Sequence, residues 1–251
     1  MPEYTIMTWA ERQEDEAEER IAQAAWPAFM LEDPVANQYF WRLYQDFPHY
    51  QFMLYDGDQP IAIGNSIPFV WDGTPEGLPA TGWDYVLVQG VKDLEAGNEP
   101  NALSAISISI AREYVGRGIS RQMVQAMRSI ARRAGLGQMV APVRPNQKPM
   151  YPLTPMERYV NWTHTDGEAP FDAWMRVHWR LGAQVVKVCP QSMTIPGTVA
   201  EWESWTGMRF PESGPYIIPG ALTPVDIDRE RDMGLYVEPN VWMRHNLDYD
   251  A

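Results

Sequence analysis

A nine-residue run alternating apolar with small polar residues, Ala102-Leu-Ser-Ala-Ile-Ser-Ile-Ser-Ile110, leads through Gly116-Arg-Gly118 into a stretch of helical period. Strict alternation describes a strand with one wet face. Ile119, Met123, Met127, Ile130 and Ala134 recur at helical spacing, and Gly135 stands where such a helix would stop. A strand feeding a helix through a glycine loop needs a helix laid over a sheet, which excludes all-α and all-β architectures. The remaining pattern agrees with a mixed α/β chain. Helices are expected over Glu11–Phe29, over Ala36–Asp46 behind the Asp33-Pro34 cap, over Asp84–Asp93, Phe171–Leu181 and Thr198–Trp205. Tyr50–Tyr55 and Pro60–Ile67 flank the turn Asp56-Gly57-Asp58 as a hairpin, and Gln138–Val143, Gly182–Val188 and Leu235–Arg244 complete the strands. No internal repeat or low-complexity linker divides the chain, so 1–251 is expected to form one domain with long loops.

Charge narrows the function. There are 20 Lys and Arg against 33 Asp and Glu, a net charge of −13, which argues against a general nucleic-acid binder. The charge is uneven: Arg112–Lys148 holds eight basic residues and one acidic, so the rest of the chain carries −20. A basic island in an acidic protein fits an anionic ligand met at one place, or a solvated helix face formed by Arg121, Gln125, Arg128 and Arg132. The single cysteine, Cys189, excludes a disulfide framework. No apolar stretch approaches the ~18 residues that span a bilayer. The start, Met1-Pro-Glu-Tyr-Thr, carries no basic-then-apolar leader. A soluble cytoplasmic protein without membrane or nucleic-acid partners is expected, and its acid-rich and Trp-rich surfaces leave room for a homodimer.

Glycines before a helix let backbone N–H groups face an anion such as pyrophosphate. A dinucleotide loop would place a third glycine where Arg121 stands, and a P-loop would need Gly-Lys-Ser or Gly-Lys-Thr; neither is present. The four histidines, His49, His164, His178 and His245, show no metal-ligand spacing, so no metal is expected, and no Gly-x-Ser-x-Gly elbow occurs.

The segment Ile-Ala-Arg-Glu-Tyr-Val-Gly-Arg-Gly-Ile-Ser resembles the acyl-CoA signature of the GNAT acyltransferase superfamily: Arg or Gln, two residues, Gly, one residue, then Gly or Ala. Val115 falls at the Arg/Gln position, Gly118 at the fixed glycine and Ser120 at the final small position. Arg-Glu-Tyr before the loop resembles the family's Pro-Glu-Tyr. Arg144-Pro-Asn146 resembles the end of its fifth strand, and Phe171–Ala183 resembles its helix ending in Tyr-x-x-x-Gly-Phe. The element order agrees over about residues 4–190, with 71–101, 147–170 and 195–222 as expansions.

The resemblance implies a GNAT-type mixed central sheet with splayed strands, flanked by helices and carrying long loop expansions. It implies an acyl-CoA co-substrate, acetyl or longer, or a phosphopantetheine thioester on an acyl carrier protein. The pyrophosphate would rest on Gly116, Arg117, Gly118, Ile119, Ser120 and Arg121, with Arg112 as a further cation. The pantetheine would lie between strands 104–110 and 138–143, near Ile108, Ile110 and Asn146. His178 stands four residues before Gly182, the position of the family's catalytic Tyr, and would act as acid or base near its ordinary pKa of ~6.5. By packing alone it is equally a core side chain between Trp174 and Trp179.

The implied activity is transfer of an acyl group to a small-molecule or peptide amine. The same histidine is similar to one in GNAT-like loading domains of polyketide synthases, which decarboxylate malonyl thioesters with a threonine on the fifth strand. Here Gln138–Arg144 holds no threonine, and Thr154 is the nearest. Decarboxylation or S-acyl transfer, and a silent thioester-binding domain, remain alternatives. The loop 146–168 offers Tyr151, Tyr159 and Trp162 as a pocket wall with Glu157 or Arg158 beside it, or a helix cap with Thr154–Glu157 as its capping box.

Overall fold

Successive residues of β4 (Ala102–Ile110) feed two different cores, as the two faces of a strand must. Ala102 and Ile106 join one cluster, while Leu103 joins a second with Ala105 and Ile108 packed against it. The computed structural model describes residues 4–165 and 167–247; Met1–Glu3, on which the expectation of no leader rests, lie outside them. Among the described residues nine strands form one sheet in the order β1 (Tyr4–Thr8), β2 (Phe52–Asp56), β3 (Gln59–Phe69), β4, β5 (Gln138–Val143), β9 (Met233–His245), β8 (Val225–Asp228), β7 (Gly214–Tyr216). β6 (Gln184–Gly197) pairs along the other edge of β9. The β4–β5 pair is parallel and the others are antiparallel.

α4 (Ile119–Arg133) covers one face, burying Ile119, Met123, Met127 and Ile130 against Phe52, Leu54, Leu103 and Met139. Each such side chain is worth roughly 1.5–3 kcal/mol of transfer free energy. α1 (Asp15–Ala25), α2 (Pro34–Asp46) and α3 (Gly82–Ala96) pack against β3, and α7 (Val199–Thr206) packs on β9. The short α5 (Met156–Tyr159) and α6 (Ala173–Arg180) precede β6. No helix among the described residues is long and apolar enough to cross a membrane.

Several expectations shift for local reasons. α1 stops at Ala25 instead of Phe29, because Pro27 drives Trp26 into extended backbone (φ −114°, ψ 142°). β6 runs on to Gly197, with register breaks between Val185 and Lys187 and between Cys189 and Met193. The capping box forms at Thr198–Glu201, not at Thr154–Glu157. Thr198 Oγ1 accepts from the Glu201 amide and Glu201 Oε2 accepts from the Thr198 amide, whereas α5 begins behind Pro155 with no side-chain cap. Arg128 and Arg132 do not form a free solvated stripe. Arg128 is buried and donates to the Asn246 carbonyl at 2.9 Å, and Arg132 Nε donates to that of Leu247, so the segment after β9 crosses the back of α4.

Candidate active site

The parallel ladder between β4 and β5 lasts three residues, Ala102–Ser104 against Gln138–Val140. Beyond it the strands are no longer hydrogen-bonded to each other, although β4 continues to Ile110 and β5 to Val143. Two features encode the separation. β4 shifts register against β3 at Asn65/Ser66, whose partners are Ser107 and Ala105, so Ile106 is the extra, bulged residue. β5 carries Pro142, which has no N–H to give a ladder. Trp83 Nε1 donates to the bulged Ile106 carbonyl at 2.9 Å and fixes the distortion.

The opening is a cleft of about 840 Å³. At one end lies the glycine loop. Gly116 and Gly118 have φ of +85° and +77°, a left-handed backbone that glycine adopts without strain, and an added Cβ at either would meet nothing within 4 Å. Gly118 caps α4 with no side-chain hydrogen bond, leaving the first-turn N–H groups toward open space. Gly116, Gly118, Ile119, Ser120 and Arg112 line the cleft, as do Ile108, Ile110 and Asn146 further along. Arg117 and Arg121 do not; both are exposed, and the Arg117 guanidinium stacks 4.7 Å over the Tyr114 ring. No ion pair to Arg112, Arg117 or Arg121 forms among the described residues, so the loop's positive charge is uncompensated.

The other end is built from side chains of distant segments. Trp26 spans the two separated strands: its Nε1 donates to Ser109 Oγ on β4 at 3.2 Å, and its ring lies 5.9 Å beneath the Arg144 guanidinium after β5. Arg144 holds the fully buried Glu238 through Nε, 3.0 and 2.9 Å from the two carboxylate oxygens. Tyr236 and Asn240 also donate to Glu238, so this carboxylate is saturated. Glu18 on α1 is not. Tyr44 donates to its Oε1 at 2.8 Å, Asn65 Nδ2 donates to Tyr44, and Ser107 Oγ on β4 donates to Asn65 Oδ1. That chain of bonds runs from the cleft wall to the bulge. Burial pushes the Glu18 carboxyl above its usual range, against the Tyr44 hydrogen bond, and Glu19 and Asp15 add to the rise.

His178 lines the cleft from α6 and is 1% exposed, with the Trp174 ring edge-on at 4.4 Å. Burial and the neighbouring His245 hold it well below the ordinary histidine range. The expectation that it carries a proton near pH 6.5 therefore gives way to an imidazole that stays neutral. Among the described residues no group of three or more His, Cys, Asp or Glu side chains is arranged to hold a metal ion.

The aromatic loop lies elsewhere. Tyr151, Tyr159, Trp162 and Phe171 pack on one another edge to face or tilted, and none lines the cleft. Tyr159 donates to Asp172, which caps α6, so the loop anchors the helix that carries His178; Glu157 and Arg158 are exposed away from the cleft. Sequence reasoning missed Glu18, Trp26 and His245, whose only sequence signals were an acid-rich helix start, a Trp-Pro pair and a strand-end histidine.

No family model matches the sequence. An arginine N-acetyltransferase of Aspergillus versicolor is 33% identical over 257 residues, covering 91% of this chain and 88% of that protein. Among solved structures, the loading GNATL domain of CurA from Lyngbya majuscula superposes with a TM-score of 0.65 at 16% identity, covering 99% of this chain and all of that one. The GNAT-like decarboxylase GphF, in complex with isobutyryl-CoA, gives 0.56 at 14% identity, covering 98% and 99%. With a splayed β4–β5 pair, a glycine loop opening α4 and a relative at this identity over nearly its whole length, the chain belongs to the GNAT acyltransferase superfamily.

Proposed function

We propose that this enzyme transfers an acyl group from an acyl-CoA thioester to the amine of a small cationic acceptor. The observation that carries this is the continuity of one cleft from the uncompensated glycine loop, through the split between β4 and β5, to the half-buried Glu18. Backbone N–H groups at residues 116–121 and the α4 dipole suit a pyrophosphate; the dipole is worth roughly 0.3–1 kcal/mol per exposed charge. Replacement of the family's Arg or Gln by Val115 removes a side chain but leaves that backbone cradle intact.

Beyond Ser104 the strands no longer pair with each other, and the N–H groups this frees on β4 suit the oxyanion formed as the amine attacks. Glu18, free on one carboxylate oxygen, is placed to hold an ammonium or guanidinium and to accept the proton the amine must lose. The identity of the Aspergillus relative as an arginine N-acetyltransferase supports a cationic acceptor. Decarboxylation has less support, since no threonine lines the cleft among the described residues.

Thiol release from acetyl-, longer-chain and malonyl-CoA, measured with arginine, with a neutral primary amine and with no acceptor, tests this reading. Release should require an amine and favour the cation. Glu18→Gln should lower kcat/KM about 100-fold and remove the rise of rate with pH that titration of this carboxyl produces. Malonyl-CoA losing CO₂ without an amine would replace the proposal with decarboxylation. Failure to bind any CoA thioester in native mass spectra would turn the search to an acyl carrier protein as donor.

A further inference from the structure

The hydrogen bonds around Asn65 run in one direction only, because backbone groups fix them at their root. Gln51, fully buried, gives its amide hydrogens to the carbonyls of Phe47 and Ser66, each at 2.9 Å, and its Oε1 accepts from the Ser66 N–H at 3.1 Å. Turned round, its oxygen would face two carbonyls with nothing to give them. The Asn65 atom that meets Gln51 Oε1, at 3.3 Å, is therefore the Nδ2 donor. Nδ2 also donates to the Tyr44 hydroxyl at 2.8 Å, and Tyr44 passes its own hydrogen to Glu18. Asn65 Oδ1 is left to face Ser107, so the Ser107 hydroxyl must donate to it, at 2.8 Å.

The consequence lies in the cleft, which Glu18, Asn65 and Ser107 all line. Ser107 has one hydroxyl hydrogen and it points inward, so Oγ turns only lone pairs to a ligand. The second carboxylate oxygen of Glu18 does the same, and both Asn65 amide hydrogens are already engaged. The side chains of this stretch of wall accept hydrogen bonds and give none.

We propose that Ser107 commits the acceptor to a primary amine: its Oγ holds the one N–H that such an amine keeps throughout acyl transfer, and Asn65 positions its hydroxyl for this. The proposal rests on the acyl-transfer reading above. A primary amine enters as an ammonium with three hydrogens. One proton passes to Glu18, and the freed lone pair bonds the thioester carbon. The carbon–sulfur bond breaks with its electron pair on sulfur, and a second proton leaves the nitrogen to end on that thiolate. The third hydrogen stays as the N–H of the product amide. A secondary amine has no such hydrogen in its product, and an alcohol loses its only one at the first step. Either would leave Ser107 facing an atom with nothing to donate, and a polar wall left unpaired discriminates more sharply than an apolar pocket.

A neutron structure of deuterium-exchanged protein reads the direction of these bonds without turnover. A deuteron between Ser107 Oγ and Asn65 Oδ1 is expected; one pointing from Ser107 into the cleft overturns the proposal. In turnover with acetyl-CoA, a primary amine should outpace its N-methyl derivative. Ser107→Ala should lower kcat/KM for the primary amine about 10- to 100-fold, with CoA-thioester binding in native mass spectra unchanged. Ser107→Thr, which keeps the hydroxyl, should recover most of it. Asn65→Leu keeps Ser107 in place but releases its hydrogen, so the preference for the primary amine should collapse in this variant and in Ser107→Ala alike; an unchanged preference in either overturns the proposal. No turnover of any amine by the unaltered protein would sink the acyl-transfer reading instead. Calorimetry then decides for the wall alone: Ser107→Ala should weaken binding of the primary amine about tenfold, and equal binding sinks the wall too. If Asn65→Leu fails to fold, Ser107→Ala and the neutron structure still decide.

Discussion

The two ends of the cleft are made of different material. The end we assign to the donor is backbone: two left-handed glycines, helix-start N–H groups with no side-chain cap and, among the described residues, arginines held in no ion pair, all within Arg112–Arg121. The end we assign to the acceptor is side chain: Glu18 from α1, Trp26 after it, Tyr44 from α2, His178 from α6, Glu238 and His245 from β9. A backbone site depends on local φ and ψ and tolerates change around it. A side-chain site depends on the whole sheet bringing five segments together, and it ties stability to function. The two ends should therefore fail differently when damaged.

The largest effect is expected at the side-chain end. Glu238 is fully buried and collects Arg144, Tyr236 and Asn240. Glu238→Ala would strand the part-buried Arg144 guanidinium and two buried polar groups, costing about 3–5 kcal/mol of unfolding free energy. Urea unfolding measures it, and a loss below about 1 kcal/mol would mean that this network does not hold the end together.

At the donor end, Gly118→Trp should cost less stability, about 1–2 kcal/mol for placing a side chain in a left-handed position. It should still weaken CoA-thioester binding at least tenfold by filling the open space over the α4 N–H groups. Native mass spectra that lose the CoA thioester while the urea midpoint reports a loss of no more than roughly 1–2 kcal/mol would separate the two ends. Coupled loss of both would show the ends to be one cooperative unit.

The same division explains what the sequence could disclose. The strand, glycine loop and α4 are contiguous, so alternation, helical period and glycine placement expose them directly, whereas the splay was legible only through the resemblance. The bulge at Ile106 has no local signature, since it depends on which residues of β3 lie opposite. His178 was legible only through resemblance. Its partner His245 lies 67 residues away and is joined to it by the β5–β9 register that sets Met139 opposite His245. The aromatic loop misled because clustering Tyr151, Tyr159 and Trp162 serves a pocket wall and a core satellite equally well, and only the packing on Asp172 decides for the second.

The smallest effect is a pH slope confined to the side-chain end. Burial and the nearby Asp33 push the Asp84 carboxyl up to about 8, and burial pushes Asp33 itself up to about 6 although the Ala36 amide donates to it. In the unfolded chain both would titrate near ~3.9. Below that value folded and unfolded states hold the same protons. As pH rises toward 8 the unfolded state gives them up first, and a state binding fewer protons gains ground, so these two carboxyls lower folding stability over this interval; below about pH 7 the buried neutral His178 and His245, which take up protons near ~6.5 only when unfolded, act in the opposite sense. In a chain of this size each kcal/mol moves the thermal midpoint about 2–4 °C. Asp84→Asn should raise the midpoint at pH 8 and flatten its decline between pH 7 and 8, above the range of Asp33 and of the unfolded histidines. Gly118 is not among the groups that bear on either carboxyl, so Gly118→Trp should leave the slope as it was. A midpoint that climbs with pH over that interval, or a slope untouched by Asp84→Asn, would show that these carboxylates are ionised in the folded protein and that the acceptor end is wetter than its packing implies.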